Sequence, residues 1–162
     1  MTNQTMLNFG RTAILTALLA TAAVITASAA MAGECPADQR KADVRPQNST
    51  PARDVTDNVI GSIDVSKEPA KIPDRLFRLR KLVVKPGGVV PWHSHGNRPA
   101  IIYILSGEIV EYASNCAVPI VHRAGDVAIE TAGVSHWWQN HGNVTVELLS
   151  ADLQSDRNDH NM

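Results

Sequence analysis

Between residues 59 and 151 the chain is cut into short segments rich in Val and Ile, each closed by Gly, Pro, Asn, Asp or Ser. This pattern constrains the fold more than anything else in the sequence. Segments this short, at such regular spacing, read as strands of a sandwich or barrel. The expected strands are 59–65, 75–84, 89–95, 100–105, 108–113, 120–123, 126–130, 136–140 and 144–151. Turn signals stand between them, among them Pro86-Gly87-Gly88 and Ser106-Gly107, where glycine supplies backbone angles that other residues avoid. Along Leu76-Phe77-Arg78-Leu79-Arg80 apolar and basic residues alternate with the period of a strand. No segment there shows a helical period, and no internal repeat stands out. After Phe9 the only phenylalanine is Phe77, so the core is expected to be Val, Ile and Leu.

His93-Ser94-His95, with His136 downstream, places chemistry on this scaffold. Residues two apart on a strand share a face at roughly 6.6–6.8 Å. Two imidazoles so placed can converge on one ion at about 2.0–2.1 Å, and a third from another strand completes the set. His122 lies in an apolar strand and reads as structural, His141 sits in the Asn140-His141-Gly142-Asn143 turn, and His160 is in the tail.

The surroundings of the histidines carry a family resemblance. Residues 86–107 resemble the first cupin motif, G-x5-H-x-H-x(3–4)-E-x6-G, through Gly87, His93, His95 and Gly107. Residues 125–140 resemble the second, G-x5-P-x-G-x2-H-x3-N, through Gly125, Gly133, His136 and Asn140. Thr131 replaces the usual proline, and Ala100 stands where the family has its glutamate ligand. The resemblance implies an all-β double-stranded β-helix, or jelly roll, with the ligand cavity inside the barrel. It implies His93, His95 and His136 as metal ligands without the carboxylate; the alternative is a barrel that kept its histidines and binds nothing. Glu108, Glu111, Glu130 and Glu147 are the carboxylates that a different geometry could bring in.

Arg98 falls near the cavity mouth by this resemblance and offers a planar fork for a substrate carboxylate, or else a surface ion pair. Trp92, Trp137 and Trp138 flank the ligands; Trp92 is a candidate substrate contact, and of the adjacent pair only one can line the cavity. Tyr103 belongs on the face opposite Ala100, and Asn140 reads as a structural hydrogen-bonder.

The first 32 residues read as an address. Arg11 is the only charged side chain before Glu34, residues 12–32 are apolar and alanine-rich, and Ala30-Met31-Ala32 fits a signal-peptidase site. A retained anchor is the alternative, since about 20 apolar residues can span a bilayer. Export to the periplasm, or secretion, is the expected fate. The domain plan is then a signal peptide at 1–32, an extended polar arm at 33–58, a barrel at 59–153 and a flexible tail at 154–162. Cys35 and Cys116 are the only cysteines, and an oxidising compartment lets them pair; free thiols or an intermolecular link are the rivals.

A formal charge of −1 without a basic patch gives no reason to expect nucleic acid or, once the leader is removed, a membrane as partner. A small-molecule ligand is expected, and the family's habit of exchanging edge strands allows a homodimer through 59–84. Three neutral ligands leave an ion its full charge and favour anionic or chelating oxygens. Imidazole suits Zn, Cu, Fe and Ni alike, Mn is not excluded, and metal uptake outside the cytosol favours Zn or Cu. The expected function is that of an exported, metal-dependent dioxygenase-like enzyme on a small anionic or enol-type molecule. The alternative is a non-catalytic small-ligand or metal-binding module, and no residue stands out as a catalytic base.

Overall fold

The computed structural model describes residues 33–155. The expected signal peptide, most of the tail and His160 lie outside them. Among the described residues, a single 3-10 turn at Ala37–Gln39 precedes eight strands. These are β1 (Arg53–Asp64), β2 (Leu76–Ser94), β3 (Ala100–Ser106), β4 (Glu108–Ala113), β5 (Ile120–Arg123), β6 (Val127–Glu130), β7 (Ser135–Gln139) and β8 (Val146–Gln154). The all-β expectation holds.

All the pairings are antiparallel, in the order β5-β4-β7-β2-β8-β3-β6, with β1 added to β2. The two end strands, β5 and β6, follow each other through a short link that hydrogen-bonds to β3 and its turn. Gly125 N donates to Ile104 O at 2.9 Å, and Ala124 N to Gly107 O at 3.1 Å. The sheet therefore curls into a nearly closed jelly-roll barrel, a form that removes most free edges.

Inward-facing Leu82, Val84, Val90, Ile102, Ile104, Ile109, Val146 and Leu148 fill the interior with Ala128 and Trp138. Each large aliphatic side chain buried there stabilises the fold by about 1.5–3 kcal/mol. A smaller cluster of Ala113, Cys116 and Ile120 packs under Cys35, Val118 and Val134.

Two expectations need correction. The Pro86-Gly87-Gly88 signal does not separate two strands: β2 runs through it for 19 residues. Before the bend β2 pairs with β1 and β8; after it β2 pairs with β7, and Val89 keeps one partner, Arg53, on β1. Gly87 takes φ +76°, and a Cβ on Gly88 would lie 2.7–2.8 Å from Val84 Cγ1, Asp54 O and Lys85 O. Glycine here bends a strand rather than ending it, as at barrel corners generally. Secondly, β1 begins at Arg53, inside the segment expected to be an arm, and β8 runs on to Gln154. The alternation in β2 runs against the usual sense of burial. Arg78 and Arg80 point inward and are buried, while Phe77 and Leu79 are 42% and 37% exposed.

Candidate metal centre

His93 is the penultimate residue of β2, and His95 follows its last residue. The β2–β7 ladder sets His93 directly opposite His136, past a register shift between Val90 and His93. A bulge of this kind re-aims side chains. The three Nε2 atoms form a triangle of equal sides: 3.1 Å from His93 to His95, from His95 to His136 and from His136 to His93. His95 and His136 are buried, and His93 is partly open to the cavity.

The opposite ring nitrogens define what these Nε2 atoms carry. His93 Nδ1 faces Pro91 O at 2.9 Å, His95 Nδ1 faces Arg98 O at 3.0 Å, and His136 Nδ1 faces Glu111 Oε1 at 2.7 Å. Carbonyl and carboxylate oxygens only accept, so each Nδ1 donates its hydrogen. In the neutral rings all three Nε2 lone pairs then point at one spot. The Trp138 indole N–H also lies 3.1 Å from His136 Nδ1. It cannot donate to a nitrogen that already carries hydrogen, so the shorter contact to Glu111 decides the tautomer.

A divalent transition metal fits this donor set. With bonds of about 2.0–2.1 Å, adjacent nitrogens lie roughly 2.9 Å apart in an octahedron and roughly 3.3 Å apart in a tetrahedron. The 3.1 Å sides fall between the two. A carbonyl or carboxylate on the far nitrogen is also how metal-bound histidines are held in orientation.

Electrostatics divide the site. Burial, joined by the charge of His136, lowers His93 to about 2, and burial with the same neighbour lowers His95 to about 4. Both are therefore neutral, ligand-ready rings at ordinary pH. Burial also pulls His136 down, but the hydrogen bond to Glu111 and the charges of Glu130 and Glu111 outweigh it and raise this ring. Glu111, although buried, is held below the usual carboxylate range by hydrogen bonds from His122 and His136. Burial raises Glu130 to about 7, against the charge of His136 and with that of Glu111.

The four glutamates separate cleanly. Glu108 pairs with Arg123 and Glu147 with Lys81, at the surface or partly exposed. Glu111 and Glu130 lie on the Nδ1 side of His136, at 2.7 and 3.4 Å. Glu130 stands across the ladder from Ala100. Among the described residues, the donor groups that converge are the three histidines and, separately, Glu111, Glu130 and His136.

The other expected site residues are placed as follows. Arg98 is buried, its Nη1 3.2 Å from Asp152 Oδ2 and its carbonyl on His95. Trp92 is half-buried. Trp138 lines the cavity beside His93 and His95, whereas Trp137 stacks on Tyr112 at 4.2 Å. Tyr103 is 43% exposed on the outer face. Asn140 bonds Val84 O and Val144 O and so braces the bend. His122 bonds Glu111 at 2.8 Å, and His141 bonds Tyr112. Cys35 and Cys116 form a disulfide with Cα atoms 5.8 Å apart.

The cavity at the triangle has walls of Leu82, Val90, Ile102, Trp138 and Leu148, with Arg80 and Ser150 as further polar groups. Its free volume of about 20 Å³ is small, given that one water needs about 10–15 Å³. Sequence reasoning did not single out Arg80, Ser150 or the role of Glu111.

Residues 80–152 match the Cupin domain family model. The chain is 35% identical over 111 residues to a Thermotoga maritima protein named oxalate-binding protein, covering 68% of this chain and 88% of the relative. A double-stranded β-helix protein of Klebsiella pneumoniae superposes with a TM-score of 0.51 at 20% identity, over 70% of this chain and 85% of the other. A recombinant oxalate oxidase in complex with glycolate superposes with a TM-score of 0.50 at 21% identity, over 67% and 54%. These two structures share the fold. The 35% identity to the Thermotoga maritima relative over 68% of the sequence, together with the family-model match across both histidine motifs, makes this chain a member of the cupin family.

Proposed function

We propose that the protein is an exported cupin that binds a divalent transition metal through His93, His95 and His136 and holds a small chelating anion of the oxalate class. The observation that carries this reading is the 3.1 Å triangle of Nε2 atoms whose partner nitrogens are all committed as donors. A bound ion supplies a Lewis-acidic centre for anionic oxygens, undiminished in charge by three neutral ligands. The chain's own part is to fix three rings and exclude water with Trp138 and the aliphatic walls. The relative named for oxalate binding supports the ligand class. The apolar run at 12–32 and the disulfide support export, and that compartment favours Zn or Cu.

Capture is preferred to turnover because the cavity is lined, beyond its histidines, by Arg80, Ser150 and apolar groups. None of these is a proton acceptor suited to general-base work near neutral pH. Dioxygenase-like chemistry on a small anion is the second reading, favoured by the neutral three-histidine donor set.

The test is elemental analysis of the mature protein purified without chelators, followed by calorimetric titration with oxalate and an O₂-uptake assay. About one metal equivalent, absent from a His93→Ala/His95→Ala variant, with oxalate bound and no O₂ consumed, is the expected result. O₂ uptake would establish the enzyme reading instead. A wild-type protein that takes no metal even on reconstitution would overturn both.

A further inference from the structure

We infer that the α-amino group freed by cutting the chain ahead of Gly33 donates a hydrogen bond to His122 Nδ1, the first link of a relay that ends on the metal ligand His136. This rests on the export proposed above and gives the new chain end a place in the support of the metal centre.

Gly33 directly follows Ala30-Met31-Ala32, and it is buried against the barrel wall. Its N donates to Val121 O on β5 at 3.1 Å, which uses the single hydrogen of an amide. Two further acceptors face this residue. The position that a Cβ would take on Gly33 lies 3.3 Å from Val127 O and 3.4 Å from His122 Nδ1. The Asp126 Cβ is 3.3 Å from the same position, and Gly33 lines the cavity that also holds Glu111 and Glu130. Carboxylates on this side offset the cost of placing a positive charge there.

His122 is fully buried, and its Nδ1 makes no hydrogen bond among the described residues. Its Nε2 lies 2.8 Å from Glu111 Oε2, and Glu111 Oε1 accepts from His136 Nδ1 at 2.7 Å. A carboxylate only accepts, so His122 Nε2 carries hydrogen, and in the neutral ring Nδ1 is an acceptor in need of a donor. A buried acceptor left unpaired is costly. Hydrolysis of the Ala32–Gly33 peptide bond supplies the donor. The oxygen of water ends in the carboxylate of Ala32, and the nitrogen of Gly33 takes up protons to become an ammonium. Three N–H groups then stand where the amide had one. An ammonium between the amide's place and the Cβ position has Val121 O, Val127 O and His122 Nδ1 as its neighbours. The relay runs from the Gly33 amine through His122 and Glu111 to His136.

Intact mass of the exported protein is expected to place its N-terminus at Gly33. The comparison then uses two zinc-loaded proteins with the disulfide formed: residues 33–162, and the same chain with Ala30-Met31-Ala32 retained. The longer protein keeps the Gly33 amide and its bond to Val121 O, and circular dichroism checks that both fold. Imidazole nitrogen NMR, with His122 assigned by its loss in His122→Gln, should show a hydrogen bond at Nδ1 in the shorter protein alone. The Gly33 amine should be acylated at least about tenfold more slowly in the folded protein than in urea, the worth of one hydrogen bond to a charged group. If His122→Gln does not fold, this labelling ratio gives the answer. Zinc affinity, read by chelator competition, should be severalfold lower in the longer protein. Identical Nδ1 signals in the two proteins, or an amine that labels equally fast folded and unfolded, would overturn this inference and leave export standing. Equal zinc affinities with the bond present would overturn the link to His136. An exported protein that begins at another residue would overturn the processing step, and this inference with it, without touching the metal reading.

Discussion

The Glu111 carboxylate accepts hydrogen from His136 Nδ1 at 2.7 Å and from His122 Nε2 at 2.8 Å, so one buried side chain orients a ligand without touching its coordinating atom. Glutamine has one acceptor oxygen where glutamate has two, and its amide would face one imidazole N–H with another donor. Glu111→Gln should therefore weaken metal affinity by about 10–100-fold, the usual range for such partners. A competition titration against a chromophoric chelator reads this directly, and an unchanged Kd would show that packing alone orients His136. Protons provide a second handle on the same residues. Acid must weaken metal binding, because protons compete for the ring nitrogens. The competition is unequal: His93 and His95 are lowered to about 2 and about 4, whereas His136 is raised by Glu111. Between about pH 4 and the raised value for His136, that ring is the only one of the three with a proton to lose. Metal binding in this window should release about one proton, so affinity falls about tenfold per unit as pH drops and more steeply below about pH 4. Calorimetry in two buffers of different ionisation enthalpy counts the protons. A count near three would mean that His93 and His95 titrate near the ordinary 6.5, whereas a count near two also follows if Glu130, raised to about 7 beside His136, gives up its proton.

At the level of the elements, the bend in β2 decides whether the histidines reach the barrel interior at all. The strand must leave its pairing with β8 and join β7 across Pro86-Gly87-Gly88. Gly88→Ala puts a methyl 2.7–2.8 Å from two backbone carbonyls and the Val84 side chain. Overpacking of this kind costs about 1–3 kcal/mol. A denaturant titration should show that loss, together with weaker metal binding as His93 and His95 shift; wild-type stability in the variant would mean the corner can relax freely. The same corner shows where sequence reading stops. Pro-Gly-Gly marks a turn and a bend alike, and only the partner strands tell them apart. The strands themselves were legible because Val and Ile alternate or cluster, and the histidine triad because His-x-His fixes two ligands locally. Arg80 and Ser150 meet across 70 residues of sequence, and Glu111 reaches His136 across 25. No local period announces such pairs. Arg78 and Arg80 even carried the wrong cue, since basic residues in alternation ordinarily face water.

For the whole molecule, the segment ahead of β1 behaves as a strap rather than a loose arm. Gly33 N donates to Val121 O at 3.1 Å, Lys41 N to Asn115 O at 3.1 Å, and Val44 N to Ser114 O at 3.0 Å. Ala117 N returns a bond to Gln39 O at 2.9 Å, and Arg45 Nη2 holds Cys116 O at 3.2 Å. The disulfide locks the strap to the loop after β4 across 81 residues of sequence. Between strap and barrel lies a cavity of about 280 Å³ lined by Glu111 and Glu130, the carboxylates that face His136 Nδ1. The strap thus covers the back of the metal centre, and its attachment has both a global and a local effect. In the chain-entropy model a loop of this length stabilises the fold by roughly 4 kcal/mol at most, and native bridges typically give about 2–4 kcal/mol. A Cys35→Ser/Cys116→Ser variant should lose about that much in urea titration, and wild type under reducing conditions should match it. Once the strap loosens, water reaches Glu111 and Glu130 and screens their charges. Metal affinity should then fall in the oxidised-versus-reduced comparison, and by less than in Glu111→Gln, since the carboxylate itself remains. Equal metal affinity in both redox states, alongside the expected stability loss, would confine the disulfide's role to the fold and leave the metal centre sealed by the barrel alone.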